Sequence, residues 1–251
     1  MKLSWAVAVL AAGKGTRMKS DLPKVLHKLA GRPLLDHVLD LATAVTTPDR
    51  VLVVVGYGAD AVAAAARRRA VRTVVQEPQL GTGDAVRVAL GGPDGLAADA
   101  VLVLSGDVPL LRAATLEALR GAVEGGAEAA LVSARLDDPG SYGRVLRRPD
   151  GAVAAIVEAR DASPEELAVC EVNAGVYAFR RVPLARALAS LGTDNDQREY
   201  YLTDVIAHFR RAGLPVAAHL LDNPDEMLGV NTSEDLARLE RLLANGSHHQ
   251  R

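Results

Sequence analysis

Two glycines and the cations Lys14, Arg17 and Lys24 fall within residues 13 to 24. The chain reads Leu10-Ala11-Ala12-Gly13-Lys14-Gly15-Thr16-Arg17-Met18, and Lys24 follows in Leu22-Pro23-Lys24-Val25-Leu26-His27. Glycines let the backbone approach a bulky anion and turn its N–H groups toward it. Lys14, Arg17 and Lys24 supply the charge that neutralises such an anion, so the chemistry this combination serves is phosphate handling. Two better-known phosphate loops are excluded by position. A Walker A loop needs a Gly, four residues, then Gly-Lys-Ser/Thr, whereas Lys14 stands between Gly13 and Gly15. A dinucleotide fingerprint needs a third glycine where Met18 stands, and an acid after the second strand, where the chain reads Gly56-Tyr57-Gly58. A Gly-x-Gly turn after a strand also arises as a plain turn with solvated lysines; the remaining polar groups weigh toward phosphate.

Asp107 closes a predicted strand in Gly106-Asp107-Val108-Pro109. It serves either as a turn residue before Pro109 or as a ligand for a divalent cation, and the cationic loop on the same edge favours the ligand. Magnesium takes one or two protein oxygens and completes its shell with phosphate and water. Asn231 in Gly229-Val230-Asn231 could give a second oxygen, although on spacing alone an ordinary Asn ahead of a helix is the favoured reading. Gln76, followed by Leu80-Gly81-Thr82-Gly83, either pairs with the edge of a nucleobase or precedes an ordinary glycine helix start. Gly143, Glu158 and Asn173 offer a glycine backbone, a carboxylate and an amide, the groups that bind sugar hydroxyls and an acetamide. Each alone is common beside strands.

The elements that must position these groups follow from periodicity. Residues 6–10, 51–55, 71–75 and 101–104 are near-continuous apolar runs, as expected of strands buried on both faces of a largely parallel sheet. Helical patterns at 33–44, 59–69, 84–90 and 115–123 alternate with them, which predicts an α/β fold, a Rossmann-like, doubly wound and mostly parallel sheet flanked by helices. Ligands bind beyond the C-terminal ends of such strands. From residue 129 the pattern turns β-rich, with strands predicted at 129–133, 144–147, 153–157 and 172–179 and a hairpin at Asp150-Gly151. Residues 1–128 therefore read as the nucleotide-binding part and 129–231 as a smaller β-rich substrate lobe laid against the sheet. A helix is expected at 200–211, a strand at 216–219, and a last helix at 232–243 opened by Thr232-Ser233-Glu234-Asp235, a capping box with Asp in place of the usual Glu. The polar tail at 245–251 is expected to fray.

The 251 residues are 49% hydrophobic with a formal net charge of −2, which speaks against general nucleic-acid binding. The run Arg67-Arg68-Arg69 fits a solvated helix C-terminus. The single cysteine, Cys170, is expected to be a buried, inert strand residue. No signal peptide or apolar run of membrane-spanning length is read, so a cytoplasmic protein with no membrane partner is expected.

With these residues assembled, the chain resembles the N-acetylglucosamine-1-phosphate uridyltransferase family, and within it the N-terminal half of the bifunctional bacterial enzyme. The matching segments are LAAGKGTRM, SDLPKVLHKLAG, LGTGDA, GDVPL, DDPGSYGRV, IVEARDAS, EVNAGVYAF, YYLTDVIA and GVN, spread over residues 7 to about 243. The resemblance implies the sugar nucleotidyltransferase fold, with UTP and N-acetylglucosamine 1-phosphate as substrates and Mg²⁺ as cofactor. By the same resemblance Leu10, Ala11, Ala12, Gly13 and Lys24 would line the nucleotide site, and Gln76, Gly81 and Thr82 would read uracil. Arg17 and Lys24 would act on the triphosphate as catalytic residues. Asp107 and Asn231 would bind the metal, and Gly143, Glu158 and Asn173 the sugar phosphate.

Three departures stand out. Asp84 occupies a position where family members usually carry His, and Ala174 one where many carry Thr. The chain also stops in the helix that leads, in the full enzyme, to a left-handed β-helix, so acetyl transfer and the trimer built by that β-helix are expected to be missing, leaving a monomer or weak oligomer. The competing readings are a related nucleotidyltransferase for another base or sugar phosphate, and a non-catalytic sugar-nucleotide-binding module.

Overall fold

The structure, a computed structural model, describes residues 2–92 and 95–246. In chain order the first half comprises β1 (Trp5–Ala11), β2 (Lys28–Leu29), β3 (Arg32–Pro33), α1 (Leu34–Val45), β4 (Val51–Val55), α2 (Ala59–Arg67), β5 (Arg72–Val75), α3 (Thr82–Leu90), β6 (Ala100–Ser105) and α4 (Ala113–Glu124). The second half comprises β7 (Ala129–Arg135), β8 (Arg144–Arg147), β9 (Val153–Val157), α5 (Pro164–Leu167), β10 (Glu171–Arg180), α6 (Arg181–Ala189), α7 (Asp204–Arg211), β11 (Val216–Leu220) and α8 (Ser233–Gly246).

Three of the four apolar runs become strands because both of their faces find cover; the fourth, β5, is the edge of the sheet, where Val75 stays 53% exposed, so the expectation of burial on both faces fails there. Side chains alternate across a sheet. Val7, Val9, Val51, Val53, Leu102 and Leu104 therefore pack with Leu35 and Leu39 of α1, Val62 of α2 and Leu116 of α4 on one face. Ala6, Ala8, Leu52, Val54, Val101 and Val103 pack with Val86 of α3, Leu184 of α6 and Ile206 of α7 on the other. Each fully buried Val or Leu contributes about 1.5–3 kcal/mol, so the three-layer arrangement is fixed by the same residues that make the runs.

The main sheet runs β11-β7-β10-β6-β1-β4-β5, with the β8–β9 hairpin attached through β10. β1 is parallel to both β4 and β6, and β4 to β5, whereas β10 runs antiparallel between β6 and β7. The mostly parallel, helix-flanked sheet thus matches the expected fold class. The second half differs in detail from a lobe laid against that sheet. Its strands β7, β10 and β11 continue the sheet itself, and the β8–β9 hairpin is what stands off from it.

The expected helix at 200–211 begins later, at Asp204. The backbone before it pairs with the start of α3: Tyr200 N–H donates to Leu80 O at 2.8 Å and Gly83 N–H to Tyr200 O at 2.7 Å. Helix α6 was not expected; its sequence places Pro183 in the first turn, where a missing N–H does no harm. Cys170 is exposed and precedes β10, which corrects its reading as a buried strand residue. The last helix has the reciprocal cap that its sequence predicts: Asp235 N–H donates to Thr232 Oγ1 at 3.1 Å and Thr232 N–H to Asp235 Oδ2 at 2.9 Å. The tail expected to fray lies, from residue 247 on, outside the described residues.

Candidate active site

β1 and β6 end side by side, with Leu10 opposite Ser105, and both glycine-bearing tips therefore open at one edge of the sheet. The loop after β1 is folded around Lys24. Gly15 adopts φ 62°, and a Cβ there would lie 2.7 Å from Lys24 Cβ, so only glycine lets the lysine stem pass. The backbone N–H groups of Gly13, Lys14 and Gly15 donate to no other group among the described residues. Three consecutive free amides beside a lysine make an anion-binding concavity.

A cavity of about 400 Å³ covers this edge. It is lined by Leu10, Ala11, Ala12, Gly13, Lys24, Gln76, Gly81 and Thr82, which are all the residues expected at the nucleotide, together with Ser105, Asp107 and Glu199. A neighbouring cavity of about 200 Å³ is lined by Gly143, Glu158, Asn173 and Asn231, and again by Ser105 and Asp107. The two cavities therefore meet at the end of β6. Arg17 stands apart from both walls; it is exposed, and its Nη2 donates to Asn231 Oδ1 at 3.0 Å. Lys14, the third cation of the loop, lies over the Tyr57 ring, 5.4 Å from its centroid.

At the junction the Lys24 ammonium donates to Asp107 Oδ2 at 2.5 Å and to Asn231 Oδ1 at 3.0 Å. One cation is thus already held between a carboxylate and an amide oxygen. Asn231 is aimed by the cap of α8, since its own N–H donates to Asp235 Oδ2 at 2.9 Å. Met18, Leu29, Leu34, Val230 and Leu239 form a separate apolar cluster that ties α8 to the loop. Two hard oxygens converging on one cation fit a divalent ion that takes its other ligands from phosphate and water. No group of three or more His, Cys, Asp or Glu side chains suited to a metal is found among the described residues, so a metal here would depend on substrate oxygens.

The second cavity is organised by side chains with buried partners. Glu158 accepts a hydrogen bond from Thr203 Oγ1 at 3.0 Å. Burial raises its carboxyl above the usual range, against the opposing pull of the Thr203 bond, and the nearby Asp204 and Asp161 add to the rise. Asn173 Nδ2 donates to the Tyr177 hydroxyl at 2.6 Å, and Asn173 Oδ1 accepts from Gly175 N–H at 3.2 Å. The Tyr177 phenol is fully enclosed, stacked 5.5 Å from Phe179, and burial raises its pKa. Gly143 O accepts from Asn173 N–H at 2.8 Å, and a Cβ on Gly143 would lie 3.4 Å from Glu158 Oε2. Gly143, Glu158 and Asn173 are therefore brought together.

Sequence reasoning missed Tyr177, Thr203 and Glu199. For Thr203 and Glu199 a signal existed in the polar cluster Gln197-Arg198-Glu199-Tyr200-Tyr201-Leu202-Thr203-Asp204. Tyr177 looks like a plain core aromatic. No helix among the described residues is long and apolar enough to cross a membrane.

Residues 7–212 match the family described as the MobA-like NTP transferase domain. Proteins named "Bifunctional protein GlmU" from Burkholderia mallei, Burkholderia pseudomallei and Burkholderia thailandensis are each 49% identical to the chain over 236 residues, which is 94% of this chain and 51% of theirs. The chain thus spans about half the length of the curated relatives it matches.

Proposed function

The chain belongs to the MobA-like NTP transferase domain family, and from that premise we propose that it transfers the uridylyl group of UTP to N-acetylglucosamine 1-phosphate, giving UDP-N-acetylglucosamine and pyrophosphate. The observation that carries this reading is the meeting of two cavities at Asp107, one walled by free amides and Lys24, the other by Glu158 and Asn173. The 49% identity to the GlmU proteins supports it.

In this reading Leu10, Ala11, Ala12 and Gly13 flank the nucleotide through backbone, while Gln76, Gly81 and Thr82 meet the uracil. Gly143, Glu158 and Asn173 hold the sugar. Arg17 and Lys24 take the triphosphate. Asp107 and Asn231 would hold Mg²⁺, which when bound supplies Lewis-acid stabilisation where the two phosphates meet. These are the oxygens to which Lys24 now donates, so with another cation there its ammonium would be free for phosphate.

The reaction needs charge control more than proton transfer. A phosphate monoester has a second pKa of about 6, so at neutral pH its oxygen attacks without a general base. The new bond forms to the α-phosphorus as the bond to the pyrophosphate oxygen breaks, and the negative charge on the departing group is met by Lys24, Arg17 and the amides of residues 13–15. Positioning and preorganised electrostatics are the means by which such a site accelerates phosphoryl chemistry. The test is pyrophosphate release with UTP, dTTP, CTP and GTP against a panel of hexosamine 1-phosphates in Mg²⁺. UTP with N-acetylglucosamine 1-phosphate should be the preferred pair; preference for another nucleotide or sugar rejects the assignment.

A further inference from the structure

The wall of the nucleotide cavity contains a buried polar chain. Gln76 is 3% exposed and Asp84 7% exposed. Gln76 Nε2 donates to Gly81 O at 3.0 Å and to Asp84 Oδ2 at 2.8 Å. Both recipients are pure acceptors, so the amide nitrogen, and not the oxygen, must face them, whichever way a side-chain amide would otherwise be drawn. Asp84 Oδ1 is in turn held by Arg87 Nη2 at 2.5 Å, and the Arg87 guanidinium lies 4.5 Å from the centroid of the Tyr200 ring. Asp84 sits in the first turn of α3, where a carboxylate is favoured.

The chemical consequence is one-sided. A primary amide has two N–H donors, and both are used inside the protein. What Gln76 has left for the cavity is its carbonyl oxygen. Gly81 O is already taken, by Gln76 and by Ala85 N–H at 3.1 Å, so Gly81 offers only its N–H. An acceptor beside a donor matches a base edge that presents an N–H next to a carbonyl, which uracil has at N3. Cytosine held in the same register sets its N3, an acceptor, against the Gln76 oxygen, and it could pair with both groups only by shifting to present its amino group.

We propose that Asp84, locked by Arg87, is a positioning residue that acts with the Gly81 carbonyl to fix the direction of the Gln76 amide and thereby makes the nucleotide cavity favour bases carrying a ring N–H over cytosine. This rests on the nucleotide reading of the larger cavity given above, and goes beyond it in assigning the selection to a side chain that need not touch the base. Replacing Asp84 by Asn frees the switch. Arg87 demands the one remaining oxygen at position 84, so the Asn nitrogen is turned to Gln76. Gly81 O still calls for the Gln76 nitrogen while the new Asn side chain calls for its oxygen, and the amide loses its single direction, so that its N–H groups reach the cavity for part of the time.

Calorimetric binding of UTP, CTP and 3-methyl-UTP in Mg²⁺, to wild type and to Asp84→Asn, tests this. Wild type should bind UTP about tenfold to a hundredfold more tightly than either analogue, since each leaves a buried polar group unpaired. Asp84→Asn should narrow both ratios by about tenfold or more, with CTP gaining in absolute affinity, an outcome that general loosening of α3 does not produce. Equal binding of UTP and 3-methyl-UTP by wild type overturns the acceptor assignment without any variant being needed. A folded Asp84→Asn protein with both ratios unchanged overturns the role of Asp84 and leaves uridylyl transfer standing. A wild type that prefers CTP overturns both.

Discussion

The two cavities that meet at Asp107 are built in opposite ways. The larger, proposed for the nucleotide, grows from the ends of parallel strands and a glycine loop, and much of what it offers is backbone: the amides of Gly13 and Gly81, with those of Lys14 and Gly15 in the adjoining loop. The smaller, proposed for the sugar, grows from the antiparallel β10, the β8–β9 hairpin and the start of α7, and what it offers are side chains held by buried partners, Glu158 by Thr203 and Asn173 by Tyr177. A backbone cradle suits phosphates, whose charge is the same in every nucleotide. Side-chain carboxylates and amides suit hydroxyl patterns, which differ from sugar to sugar. In the proposed reading, base selectivity in the nucleotide half falls to one fixed amide, Gln76.

The contrast can be broken most severely at the shared point. Asp107→Ala removes a wall of both cavities and one of the two cation-holding oxygens. It should lower kcat on the order of 100- to 1000-fold, measured by pyrophosphate release, and should weaken the response to Mg²⁺. Lys24→Ala removes the ammonium from the nucleotide side alone. It should lower kcat by about 100-fold while leaving the KM for sugar phosphate near its wild-type value; equal losses in both parameters would mean that the lysine serves both halves. Tyr177→Phe removes only the hydroxyl that holds Asn173. The KM for sugar phosphate should rise by about tenfold with UTP affinity unchanged, and a parallel loss of UTP affinity would erase the distinction between the halves.

The smallest effect is a pH dependence confined to the sugar half. Burial raises the Glu158 carboxyl, so on acidification it takes up a proton at a higher pH than an ordinary glutamate. The carboxylate is the form that accepts bonds from sugar hydroxyls, and the KM for sugar phosphate should therefore rise by a few-fold, about the value of one hydrogen bond, as pH falls into that range. The sign for stability is the reverse. A raised carboxyl keeps its proton in the folded state where the unfolded chain would release it, so this contribution to stability is fully present below the unfolded value and is lost as pH rises through the folded one. Glu158→Gln should abolish the KM limb that belongs to the side chain while keeping that of the substrate phosphate.

The two halves also differ in how far the sequence discloses them. The nucleotide half was legible because its determinants are local. The loop of residues 10–17 follows an apolar run directly, Asp107 closes another, and these two runs are strands covered on both faces. Each nucleotide residue then falls on one sheet edge as a consequence of parallel pairing. The sugar half depends on contacts that spacing conceals. Asn173 and Tyr177 are four residues apart on one strand, a separation of about 13 Å in regular extended chain. They touch because β10 is irregular against β7 between those two residues and Gly175 takes φ 70°. The segment at 200–202 has a helical pattern yet stays outside the helix, because its backbone is drawn into bonds with the start of α3. The three groups expected at the sugar were nonetheless brought together, since Gly143, Glu158 and Asn173 lie at strand ends that the sheet places side by side. Asp84 illustrates the same limit in the nucleotide half: as a residue type it reads as a helix N-terminal acid, and its grip on Gln76 is visible only in three dimensions.

The central claim is that one substrate lies in each cavity and that their phosphates meet over Asp107. A crystal structure of the chain with UDP-N-acetylglucosamine and Mg²⁺ tests it directly. The account predicts uracil beside Gln76 and Gly81, the N-acetylglucosamine ring beside Glu158 and Asn173, and the diphosphate bridging the two at Asp107. Density for the uridine or the sugar outside these cavities, or a diphosphate remote from Asp107 and Lys24, would contradict it.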